Sequence, residues 1–92
     1  MKLFNWSPEK NVQLRREGGV GFEDVLFHIL QGDVLDTVEH PNQQRYPGQR
    51  IHLVVIEEYV YLVPFVETDD EVFLKTIIPS RKATRNHRGG KA

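Results

Sequence analysis

Residues 50–79 read RIHLVVIEEYVYLVPFVETDDEVFLKTIIP, and this stretch decides the fold. Three runs rich in Val, Ile, Leu, Tyr and Phe, at Arg50–Glu57, Tyr59–Glu67 and Val72–Pro79, are separated first at Glu57-Glu58 and then by Thr68-Asp69-Asp70-Glu71. Residues of this kind fit a pleated, half-buried surface. Connections so short cannot hold the crossover helix that parallel neighbours require, so the runs form an antiparallel meander. Pro64 lies inside the middle run without a ladder N–H, which predicts a bulge or a locally unpaired edge there. On the last run, a period of two puts Val72, Leu74, Thr76 and Ile78 on one face and Phe73, Lys75 and Ile77 on the other.

Upstream, Val34–Glu39 alternates as a short strand, and the polar stretch His40–Gly48, with Pro41 and Pro47, is a loop. Before it, Phe22, Val25, Leu26, Ile29 and Leu30 recur at helical spacing, with Glu23 and Asp24 at the positive end of the dipole and Gly32 at the close. Another helix starts at Ser7-Pro8-Glu9-Lys10, where an N-cap serine, a first-turn proline and an early acid coincide, and it ends at Gly18-Gly19. Leu3, Phe4 and Trp6 make a short edge strand. Downstream, Ser80 caps a short basic helix that Gly89-Gly90 ends. The expected fold is therefore α+β: two N-terminal helices on a mainly antiparallel four-stranded sheet, followed by a short basic C-terminal helix. Residues 1–88 form one domain, and residues 89–92 form a flexible tail.

Ninety-two residues support one core, and 39% hydrophobic with 27% charged residues is the balance of a globular chain. With no cysteine, neither a disulfide nor a thiolate metal site is available. The first residues lack the apolar stretch of a signal peptide, and no apolar run approaches the ~20 residues that span a bilayer. The expected location is the cytoplasm, with no membrane partner. The net charge of −1 hides an asymmetry. Residues 1–74 carry six basic and all thirteen acidic residues, a net of −7, whereas residues 75–92 carry six basic and no acidic ones, a net of +6. A cluster of that sign attracts phosphate or an acidic protein.

His28, His40, His52 and His87 show no ligand spacing, so no metal site and no cofactor are expected. Gly18-Gly19-Val20-Gly21 joins two helices rather than a strand and a helix, so a helix cap and tight turn are expected there in place of a nucleotide-cradling loop. Two groups of residues remain. Lys75, Ser80, Arg81, Lys82 and Arg85 gather where the last strand turns into the final helix, and free helix N–H groups add attraction for a phosphodiester there. Arg81 and Arg85, four apart, share a helix face and repel unless an anion or an acidic partner lies between them. The second group is His40, Asn42, Arg45, Tyr46 and Arg50 on or beside the loop, a polar and aromatic set suited to a splayed nucleotide.

Three segments resemble the BrnT-type ribonuclease toxins. Phe4-Asn5-Trp6-Ser7-Pro8-Glu9-Lys10-Asn11 is similar to that family's opening F-x-W-D-x-x-K-N. Gly19-Val20-Gly21-Phe22-Glu23-Asp24 is similar to its G-V-S-F-E-E, and Ile77-Ile78-Pro79-Ser80-Arg81-Lys82-Ala83-Thr84-Arg85 to its I-I-S-A-R-x-A-T-R. Arg16-Glu17-Gly18-Gly19 stands where the family carries Lys-His-Gly. The resemblance implies a RelE-like fold, a metal-independent endoribonuclease that arrests translation as the toxin of a type II toxin-antitoxin pair, and a cognate antitoxin in a hetero-oligomer. In that reading Lys75, Arg81 and Arg85 hold the phosphate, and His40 is the base, with Glu9 or Lys10 as alternatives. Lys82, Ser80, Arg45, Tyr46, Arg50 and Lys10 contact RNA. The competing class is a non-catalytic RNA- or protein-binding module of the same fold.

Overall fold

In a computed structural model that describes residues 2–89, the chain runs β1 (Leu3–Trp6), α1 (Pro8–Arg16), α2 (Phe22–Gln31), β2 (Val34–Glu39), β3 (Arg50–Ile56), β4 (Tyr59–Glu67), β5 (Glu71–Leu74), β6 (Ile78–Pro79) and α3 (Arg81–Gly89). The fold is α+β. Gly89 is the last residue of α3 rather than the first of a tail, and residues 90–92 lie outside the described residues.

The sheet is mixed and wider than the four strands expected. Its order is β1-β5-β4-β3-β2, with β6 also paired to β4. β2, β3, β4 and β5 form the antiparallel meander. β1 adds to β5 in parallel, with Phe4 opposite Val72 and Trp6 opposite Leu74. That register turns Phe4 and Trp6 to the face that carries the core, where the Trp6 ring stacks on Phe22 at 5.6 Å and 17°.

Pro64 explains the largest departure from the expected meander. On its β3 side it pairs normally with Ile51. On the other side its carbonyl accepts the Lys75 amide at 2.7 Å, and without an N–H it cannot return a second bond. The neighbouring strand breaks at this point into β5 and β6, leaving Lys75–Ile77 between them. The extra residue shifts the alternation, so that Ile77, rather than Thr76, joins Val72 and Leu74 in the core, and Ile78 is exposed.

Two layers cover the sheet. Phe22 and Val25 of α2, with Leu14 of α1, pack on the face formed by Val54, Ile56, Val63, Phe65, Val72 and Leu74. Ser7 caps α1 by accepting the Lys10 amide at 3.2 Å. Gly18, at φ +80°, supplies the left-handed residue that turns the chain from α1 toward α2. Gly21 offers α2 no side-chain cap. Asn11 of α1 takes that role across the interface, its Oδ1 accepting the Phe22 amide at 2.8 Å while its Nδ2 donates to Glu23. α3 lies on the opposite face, over the side that carries Ile51, Leu53 and Leu62. No helix among the described residues is long and apolar enough to cross a membrane.

Candidate nucleic-acid interface

α3 is docked by a ring of hydrogen bonds at the edge of β4. The Ser80 amide donates to the Val60 carbonyl at 3.0 Å, the Val60 amide donates to Thr84 Oγ1 at 2.8 Å, and Thr84 Oγ1 donates to the Ser80 carbonyl at 2.7 Å. Ser80 Oγ accepts the Ala83 amide at 3.1 Å and so caps the helix, as its position in the sequence predicts. With Thr84 buried against the sheet, the rotation of α3 is fixed, and the helix divides its polar residues between two sides.

Arg81, Arg85 and Arg88 recur at i, i+4 and i+7 on one side. Together with Thr84, Gly89 and Tyr59 they line an open concavity of about 470 Å³. Among the described residues, none of the three guanidinium groups lies within ion-pair distance of a carboxylate, whereas Lys2, Arg15 and Arg50 are paired. Three guanidinium groups without a carboxylate partner among the described residues line one concave wall, and each can present a fork of donors to phosphate oxygens. Tyr59, whose ring packs against Tyr61 with 5.5 Å between centroids, stands at the edge of this wall. Burial raises the Tyr61 hydroxyl pKa above its ordinary value, with smaller contributions from Tyr59 and Glu57.

Lys82 and Ser80 face the other side, where a shallow groove of about 260 Å³ runs between α3 and the apolar residues Val38, Ile51, Leu53 and Leu62. Lys75 is exposed in the break between β5 and β6, with its ammonium 5.4 Å over the Phe73 ring. It is not among the residues that line the arginine concavity. Lys10 lies in the first turn of α1, the layer on the other face of the sheet from α3.

The loop set is held at the opposite end of the sheet. The His40 amide donates to the Gln49 carbonyl at 2.9 Å, which closes the loop beside Arg50, while α3 docks at Val60, the partner of Val55. Five residues along β3 separate the two, about 17 Å at about 3.3 Å per residue. Within the loop the His40 ring packs on Tyr46 at 4.4 Å, and the Arg45 guanidinium lies 5.5 Å from the same ring. His40 Nδ1 accepts the Asn42 amide at 3.0 Å, so a neutral ring carries its proton on Nε2 and has no free lone pair to act as a base. Arg50 is ion-paired to Glu67 and lies 5.2 Å over the Phe65 ring. Next to it, His52 stacks on Phe65 at 4.0 Å. Burial lowers its pKa, as does Arg50, against an opposing pull from Glu67.

The structure therefore brings Arg81 and Arg85 together and adds Arg88 and Tyr59, while Lys75, His40, Arg45, Tyr46 and Arg50 lie elsewhere. The i, i+4, i+7 spacing of the arginines could have flagged Arg88. Tyr59 had no local signal, because only the β3–β4 hairpin carries it to α3. No protein-family model, curated protein or solved structure matches this chain.

Proposed function

We propose that the protein is a RelE-like endoribonuclease of the toxin class that its sequence resembles, acting on RNA in the cytoplasm, with the Arg81–Arg85–Arg88 concavity as its phosphate site. The observation that carries this reading is the row of three arginines beside Tyr59, unpaired among the described residues. In the proposed reaction the 2′-hydroxyl of RNA attacks the adjacent phosphorus, the bond to the 5′-oxygen breaks, and a 2′,3′-cyclic phosphate and a 5′-hydroxyl result. Arg81 and Arg85 stabilise the negative charge that accumulates on the phosphoryl oxygens. The proton of the attacking hydroxyl passes to solvent water and the departing 5′-oxygen takes one from solvent water, since the described wall contains neither a histidine nor a carboxylate. The apolar groove bounded by Lys82 on the other side of α3 is the surface offered to an antitoxin. That placement leaves the arginine wall open in the free protein.

The composition of the described wall, arginines with Thr84, Tyr59 and Gly89, also fits a second reading, in which the concavity binds RNA without cleaving it. One experiment separates the two. Purified protein with end-labelled RNA in excess chelator is expected to yield cyclic-phosphate ends, and Arg81→Ala or Arg85→Ala to slow the reaction by at least about 10-fold. Intact RNA bound with a salt dependence that falls by about 0.7 in log–log slope per arginine removed supports the binding module instead. If RNA is neither cleaved nor bound, both readings fail.

A further inference from the structure

On the face of the sheet opposite α3 is a cavity of about 400 Å³ between the α1–α2 turn and the sheet, lined by Glu17, Gly18, Gly19, Tyr59, Tyr61 and Ile77 among others. Its volume falls in the range of small-molecule sites. Tyr59, beyond the end of the β4–β6 pairing, lines both concavities, so a nucleoside attached to a phosphate on Arg81 and Arg85 enters the cavity by passing round the sheet edge at this residue. We infer that this cavity is a nucleobase pocket that selects guanine, an inference that rests on the phosphate-site reading above.

Three features argue for a base, and for guanine among the bases. First, Tyr59 and Tyr61 supply aromatic surface on which an unstacked base can lie. Second, the α1–α2 side of the cavity carries glycine at two successive positions, so no side chain there obstructs a flat ring. Gly18 holds φ +80°, which a larger residue would adopt only with strain. Third, among the described lining residues Glu17 is the only one with a carboxylate. An ionised carboxylate is an acceptor with two oxygens, and of the four RNA bases only guanine presents two adjacent N–H donors, N1–H and N2–H, on its Watson–Crick edge. Adenine and cytosine each offer one exocyclic amino group next to a ring acceptor. Uracil places its single N–H between two carbonyls, which a carboxylate repels.

The test uses 2′-O-methyl pentanucleotides of sequence U-U-N-U-U, which lack the attacking hydroxyl and so report binding alone, read by fluorescence anisotropy with the full chain. The oligonucleotide with a central guanine is expected to bind about tenfold more tightly than the one with a central uracil, the discrimination one bidentate base contact supplies. Glu17→Gln, at an exposed helix end, is expected to reduce that ratio below about twofold. Equal affinities for the four oligonucleotides, or a guanine preference that survives Glu17→Gln, would overturn the pocket while leaving the phosphate site standing. If none of the four binds, the phosphate site and the pocket fall together.

Discussion

The hydroxyl of Thr84 takes up the buried amide of Val60, at 2.8 Å, and passes its own proton to the Ser80 carbonyl at 2.7 Å. This contact fixes the roll of α3 about its axis, and thereby which side the arginines occupy.

Thr84→Val keeps the shape and removes the hydroxyl, which leaves the Val60 amide buried without a partner. The expected loss is about 1–3 kcal/mol of stability, seen as a lower urea midpoint. Thr84→Ser keeps the bond and loses one methyl, so its expected loss is smaller, about 1 kcal/mol. A serine variant that is less stable than the valine variant would contradict the proposed role of this hydroxyl.

Acid should weaken the join between α1 and α2. Hydrogen bonds from Arg15, and secondarily from Asn11, hold the Glu23 carboxyl at a pKa of about 2, below its ordinary 4.5. A carboxyl whose pKa is depressed by folding contributes stability that is complete above its unfolded value and is lost as pH falls toward the folded one. The loss therefore falls between about pH 5 and pH 2. NMR titration should place the Glu23 midpoint near the lower end of that window and move it upward in Arg15→Met. The variant should also lose less melting temperature on acidification, because it has less of this contribution to lose.

The β3–β4 hairpin turns through Glu57 at φ +51° and Glu58 at φ +66°, a conformation that such two-residue turns normally assign to Asn-Gly. Two adjacent glutamates at positive φ place the backbone in an unfavourable region and bring like charges together. Replacing the pair by Asn-Gly is expected to raise stability by about 1–2 kcal/mol with no change in the denaturant slope. A neutral or destabilising result would show that the carboxylates themselves hold the turn.

The elements legible in the sequence are those set by local chemistry. Ser7 and Ser80 cap helices where their positions predict, and the spacing from Phe22 onward places Phe22 and Val25 in the core. The meander follows from runs joined by connections too short for anything else. What could not be read depends on contacts distant in sequence. The pairing of Phe4 with Val72 spans most of the chain, and nothing near Leu3–Trp6 specifies a parallel partner. Pro64 announced an irregularity, but only the strand order shows that it falls on the β5–β6 side, where it displaces Lys75 and turns Ile77 inward. The loop residues His40 and Arg45 carry suitable chemistry, yet β3 runs its full length between them and α3.

The parallel pairing of β1 with β5 also dictates when this protein can exist during its own synthesis. A nascent chain that has not yet emerged as far as Leu74 leaves its first strand without a partner and Trp6 without one wall of its seat, and the arginine helix is made later still. α3 likewise has nothing to dock on until β4 is in place, so both ends of the described fold are set late, by contacts distant in sequence.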